Sequence, residues 1–204
     1  MKHHPFRTAI TIAALACSVF AYAARPRLVV NIVVSSMRAD DLDRYAANFS
    51  NGGFRRLTEG GAVFTDASYD YMQTTTPVSL ATISTGAMPS THGVVADRWF
   101  DYVGNKSVSL IDDAKEQSVN YSGGSSGYSP RNLTAQTIGD AAALHDARSR
   151  IATIAVDPLS AIVMAGRTGE VYWMETLQSA WTTSSYYTKE LPAWVADYNR
   201  RQVN

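Results

Sequence analysis

Cysteine is all but missing from this chain. The single one, Cys17, lies in the first 23 residues, so the remainder has no thiol and no disulfide. A chain without cross-links is held by its core or by a ligand. Histidine is scarce too, with four in 204 residues, of which only His92 and His145 lie beyond position 23. No excess of basic charge is present. Removing Lys2 and Arg7 from 18 basic residues leaves 16 against 18 acidic ones, a balance that does not suggest a nucleic-acid surface. No apolar run reaches the roughly 20 residues of a comfortable transmembrane span, and there is neither an internal repeat nor a long low-complexity tract.

What is present begins with an export signal. Lys2 and Arg7 precede an apolar run from Thr8 to Phe20, and Ala21-Tyr22-Ala23 supplies a small-x-small cleavage pattern. Residues 1–23 therefore read as a signal peptide, with the mature chain starting at Ala24, and residues 24–204 make one domain of ordinary size. Ala14-Leu15-Ala16 before Cys17 is a poor lipoprotein box. The expected compartment is the periplasm or another part of a bacterial envelope.

Leu28 to Val34, LVVNIVV, is a β-branched run of the kind that forms a strand buried on both faces of a parallel sheet. Ser35 and Ser36 follow at its carboxyl end, where ligands collect in open α/β sheets. Met37–Phe49 and Gly53–Thr58 read as helices, and Ala62–Tyr69 as a strand. Asp101–Asp113 suggests a hairpin-like excursion, and Asn120–Tyr128 (NYSGGSSGY) a surface loop. Ser129-Pro130 reads as the opening of a helix with an apolar face formed by Leu133, Ile138, Ala141, Ala142 and Leu144. His145 near its end suits the helix dipole. Ile151–Val156 is a further buried strand, ending in a loop, Asp157-Pro158-Leu159-Ser160. Alternation of this kind predicts a three-layer α/β/α architecture around a mostly parallel sheet.

The chain is organised around Gln73–Gly93, QTTTPVSLATISTGAMPSTHG. Thr76 reads as an N-cap with Pro77 as the first helical residue, and Gly86 as the residue that ends the helix. A hydroxyl at a helix N-terminus sits where unpaired amides and the macrodipole favour an anion, so it can hold or attack a phosphoryl or sulfuryl group. The plain alternative is an ordinary cap.

Arg25 to about Asn199 resembles the N-terminal part of the alkaline phosphatase superfamily, in particular phosphate-irrepressible alkaline phosphatases and nucleotide pyrophosphatase/phosphodiesterases. The resemblance is carried by RPRLVVNIVV, Gly53-Phe54-Arg55-Arg56-Leu57, Ser84-Thr85-Gly86 followed by Pro89-Ser90-Thr91-His92-Gly93-Val94, Tyr128-Ser129-Pro130-Arg131-Asn132-Leu133, and Tyr186-Tyr187 with Leu191-Pro192-Ala193-Trp194-Val195. It implies hydrolysis of phosphate mono- or diesters by a Thr or Ser nucleophile with two zinc ions, through a phospho-enzyme. The nucleophile falls on Thr76 counting back from Thr85-Gly86, and on Thr75 counting from Pro77. The Thr-Gly anchor favours Thr76. His92 belongs to the structural Pro-x-x-His-Gly turn.

Other positions depart from the pattern. Ser35 stands where the family has a metal-binding Asp, and a neutral hydroxyl is a far weaker zinc ligand than a carboxylate. Neighbouring Asp40 and Asp41 read as the start of a helix. Asp97 replaces an Asn that donates to a phosphoryl oxygen, while Asp157 and Leu159 replace a Lys and an Arg. Asp97 and Asp157 thus occupy substrate-binding positions with the wrong charge. The family's later Asp and His ligands have no counterpart in these 204 residues. Three expectations result: a hydrolase-family chain inactive as it stands, a pseudo-enzyme that binds a phosphorylated ligand or a partner, or a truncated fragment with no independent function.

Overall fold

The computed structural model describes residues 26–119 and 126–202, in two compact units that divide between Ala62 and Val63. The signal-peptide reading of residues 1–23 and most of the Asn120–Tyr128 loop lie outside the described residues.

In the first unit the apolar run Leu28–Val34 is not a strand. Its side chains face solvent, with Leu28 79% and Ile32 75% exposed, and no neighbour pairs with it. A strand exists only through ladder bonds to a partner, and the described residues of this unit contain helices alone, so β-branched composition is not enough. The expected helix Met37–Phe49 is reduced to α1, Asp41–Arg44, followed by a 3₁₀ turn at Ala46–Asn48. Asp41 and Asp43 sit in the first turn of α1, as acidic residues should. Helix α2 spans Gly53–Gly60, two residues beyond the Thr58 expected.

Ala62–Tyr69, which runs from the end of the first unit into the second, is irregular, exposed chain and not the expected strand; Phe64 is 87% exposed. Helix α3 (Thr76–Thr85) follows, ended by Gly86 at φ 66°, a left-handed conformation that glycine adopts without a Cβ penalty. A single turn of helix, α4 (Pro89–His92), leads to the antiparallel hairpin β1 (Arg98–Asp101) and β2 (Lys106–Ser109), which bears out the expected excursion. A second antiparallel pair joins β3 (Asp112–Gln117) to β4 (Ser126–Tyr128).

Ser129-Pro130 does not open a helix. The Ser129 hydroxyl donates to Asp113 at 2.7 Å and accepts from Arg131 N at 3.4 Å, but the chain after it closes only a turn, with Leu133 N–H donating to Pro130 O at 3.0 Å. Helix α5 (Ile138–His145) starts eight residues after Pro130, from a capping box in which Thr137 Oγ1 accepts from Asp140 N at 3.1 Å and Asp140 Oδ2 accepts from Thr137 N at 3.2 Å. Its buried residue is Asp140, while Ile138 and Leu144 face solvent. The expected apolar face is therefore not a packing face; only Leu133, ahead of the helix, enters the core.

Strand β5 (Ala152–Ala155), helix α6 (Pro158–Ala165) and strand β6 (Glu170–Glu175) make a parallel βαβ unit, with β7 (Ala180–Thr182) added antiparallel to β6. Consecutive residues of β6 point to opposite faces, and Val171, Tyr172 and Trp173 are all buried. Val171 and Trp173 join the core beneath α6, whereas Tyr172 meets Trp194 of α7 (Ala193–Gln202) edge-on at 5.4 Å. Helices thus cover both faces of β6, which is the α/β/α layering expected. Helix α3 packs on α6, and Val78, Leu80 and Ala81 share one core with Ala161, Ile162 and Val163. Ser84 Oγ locks the two helices by donating to Val163 O at 2.9 Å.

Candidate active site

Helix α3 presents its N-terminus outward from a firmly held body. Thr74, Thr75 and Thr76 are exposed, and the next two residues, Pro77 and Val78, are buried. Hydrogen bonding within the helix begins with Ser79 N–H to Thr75 O at 3.0 Å. That bond makes Thr75 the N-cap, with φ −67° and ψ 159°, and Thr76 the first helical residue. The reading of Thr76 as cap is corrected by one residue, because the carbonyl that accepts the first bond fixes the boundary.

Thr75 makes no side-chain cap hydrogen bond. The amides of Thr76 and Val78 precede the first helical bond and have no acceptor within the helix, and Pro77 has no N–H to satisfy. Exposed hydroxyls and amides at the positive end of the dipole form an environment suited to an anion.

The N-terminus of α6 is its opposite. Asp157 caps it, with Oδ1 accepting from Ser160 N at 2.8 Å, so a carboxylate of the chain already occupies the anion-favouring end. Asp157 lies two residues past the carboxyl end of β5, as expected from sequence. Asp97 sits exposed at the foot of the β1–β2 hairpin. Its Oδ1 accepts from Arg98 N at 2.9 Å, and its backbone carbonyl accepts from Leu110 N at 2.9 Å. Ser35 belongs to the first unit, exposed in a turn with Ser36 at φ 61°.

Three side chains supporting α3 were not singled out as a set by the sequence. Thr82 Oγ1 lies 2.7 Å from Tyr71 Oη and 3.2 Å from Nε2 of His92, whose Nδ1 accepts from Val94 N at 3.1 Å. Burial lowers the pKa of His92, partly offset by a backbone hydrogen bond. His92 is thus the structural residue of its turn. The i to i+10 relation between Thr82 and His92 crosses a helix end and follows no simple period, so pattern alone does not signal it.

Further away, Arg131 joins Asp113 and Glu116 and lies 5.6 Å from the centre of the Tyr186 ring. Asp113 is lowered to about 2, first by the Ser129 hydroxyl and also by Arg131. Burial drives the Tyr187 phenol well above its usual value, and its hydroxyl donates to Gly166 O at 2.7 Å. These groups brace the fold.

Zinc, the metal that the resemblance implies, does not match the donors present. Ser35 offers a neutral oxygen, and among the described residues no three His, Cys, Asp or Glu side chains gather in a way that could hold a metal ion. Among the described residues no helix is long and apolar enough to cross a membrane.

The chain belongs to the type I phosphodiesterase/nucleotide pyrophosphatase family of the alkaline phosphatase superfamily, whose family model matches residues 29–202. Over 183 residues it is 37% identical to the alkaline phosphatase PafA of Elizabethkingia meningoseptica, covering 88% of this chain and 33% of that protein. It is 31% identical over 182 residues to the alkaline phosphatase PhoV of Synechococcus elongatus, with the same shares covered. A crystal structure of wild-type PafA superposes with a TM-score of 0.85 at 36% identity, over 89% of this chain and 35% of that one. The chain spans about a third of the length of these relatives.

Proposed function

We propose that this chain carries the phosphoryl-facing helix of a phosphate-ester hydrolase of the alkaline phosphatase superfamily, and that it does not turn over phosphate esters as it stands. The observation that carries this reading is the contrast between two helix N-termini: α6 is filled by Asp157, whereas α3 is open, with Thr75 free of any cap bond. Thr76 is the attacking or phosphoryl-binding hydroxyl in the register anchored by Thr85-Gly86, and Thr75 in the register anchored by Pro77. The ligand is a phosphate mono- or diester. The chain acts outside the cytoplasm, exported by residues 1–23.

The absence of turnover rests on donor chemistry. Activating a threonine hydroxyl near neutral pH requires a nearby base or a firmly held cation. Ser35 brings no negative charge to a metal. Asp97 and Asp157 put carboxylates where donors aimed at phosphoryl oxygens are needed, and removal of one such donor typically costs about 10²–10³ in rate. The test is hydrolysis of aryl phosphate mono- and diesters by the purified 204-residue chain with added zinc, beside a Thr75→Ala/Thr76→Ala control. Background rates are expected from the chain, from the control, and from Ser35→Asp. Turnover that requires zinc and disappears in the control overturns the reading.

A further inference from the structure

His92 is completely buried, and each ring nitrogen has a neighbour of fixed character. Its Nδ1 accepts from the backbone N–H of Val94, itself completely buried, at 3.1 Å. A backbone amide can only donate, so Nδ1 must be the unprotonated nitrogen and Nε2 the protonated one, facing Thr82 Oγ1 at 3.2 Å. The turn around it closes through His92 N–H to Met88 O at 3.0 Å and Gly93 N–H to Pro89 O at 2.9 Å, with Gly93 at φ 76°. It docks on Thr134, whose N–H donates to His92 O at 3.1 Å and whose hydroxyl donates to Thr91 O at 2.8 Å. The docking is close: a Cβ on Gly93 would come within 2.9 Å of Thr134 Oγ1.

We propose that His92 is an acid-opened latch on the Met88–Val94 turn. A proton arriving at Nδ1 turns that atom into a donor pointing at the Val94 N–H donor, so the bond between them breaks and a cation is left in a buried site. The titratable group on the Thr82 side is Tyr71, whose phenol meets the far side of the Thr82 hydroxyl. On the Thr134 side the partners are a hydroxyl and main-chain groups. No ionised side chain contributes to the lowered pKa of His92, and none is at hand to stabilise the imidazolium. The open turn exposes the ring to water and takes the ordinary histidine pKa. Acid therefore favours opening, and it does so at this turn before the α3–α6 core, whose shared contacts are apolar apart from the neutral Ser84–Val163 bond. The inference stands whether or not the chain hydrolyses phosphate esters.

The test is amide hydrogen exchange of the full chain between pH 7.5 and 5, corrected for intrinsic exchange rates. Below about pH 6.5 the opening constant at Thr91–Val94 and Thr134 is expected to rise by up to about tenfold per pH unit, as for one linked proton. Ala161–Val163 and Val171–Trp173 should stay unchanged. In His92→Asn, whose side-chain carbonyl can still accept from Val94 without titrating, the dependence at the turn should vanish. If that variant does not fold, imidazole ¹⁵N shifts of the parent chain decide: the latch requires the Nε2–H tautomer at pH 7.5, lost at the pH where the turn opens. Exchange at the turn that is flat with pH, equal rises throughout the core, or an Nδ1–H tautomer overturns the proposal.

Discussion

Among the described residues, α3 and α5 are both capped by threonine, and replacing each cap by alanine should have unequal consequences. Thr137 is 1% exposed; its hydroxyl accepts from Asp140 N and donates to Ala165 O at 2.9 Å. Thr137→Ala leaves a buried N–H and a buried carbonyl without those partners, at about 1–3 kcal/mol for each group. Some relaxation of the exposed helix end lowers the sum, so about 2–4 kcal/mol is expected, or roughly 5–15 °C in Tm for a chain of this size. Thr75 is exposed and makes no cap bond, so the usual penalty of about 0.5–2 kcal/mol for losing a cap does not apply, and Thr75→Ala should cost less than about 0.5 kcal/mol. Urea unfolding followed by far-ultraviolet circular dichroism measures both. Equal losses, or a larger loss at Thr75, would show that Thr75 does structural work, and would remove the argument that its hydroxyl is available to a phosphoryl group.

Two further outcomes follow from the packing. Ser84→Ala removes the buried bond from α3 to Val163 O and should destabilise by about 1 kcal/mol, read from the same urea transitions; no change would mean that the helices are held by apolar contact alone. Asp113 is lowered from 3.8 to about 2 with the Ser129 hydroxyl as its largest cause, so its contribution to stability is complete above pH 3.8 and is lost as pH falls towards 2. Ser129→Ala should raise its pKa in a carboxyl NMR titration, while an unchanged value would place the cause elsewhere.

The parts of the fold legible in the sequence are those whose information is local. Gly86 ends α3 because a left-handed residue is required there, whereas Asp157-Pro158, expected in a loop, instead opens α6 through a cap and a proline in adjacent positions. The Leu28–Val34 run misleads for a physical reason. Its composition specifies how its faces would behave if paired, but pairing depends on a neighbour that the run does not contain. Ser129-Pro130 misleads in another way. The dipeptide has the chemistry of a helix start, yet its serine hydroxyl is tied to Asp113, 16 residues away in sequence, and the chain after Pro130 closes only a single turn.

The site divides along the same line. The stretch that carries the threonines is recognisable from its Thr-Gly and Pro-x-x-His-Gly spacing, and that spacing leaves two registers for the functional hydroxyl. Geometry adds a criterion that spacing lacks: at Thr75 the backbone is still extended and the side chain is uncommitted, whereas Thr76 has entered the helix. Both hydroxyls nonetheless lie at the anion-favouring end, because side chains on a helix's first turn lean back towards its N-terminus. The Asp157 carboxylate is held at the head of α6, where its Oδ1 accepts from Ser160 N. At an anion-binding end, what matters is which helix leaves its terminus unsatisfied. In this unit α6 supplies its own anion, and α3 leaves its terminus open to one from outside.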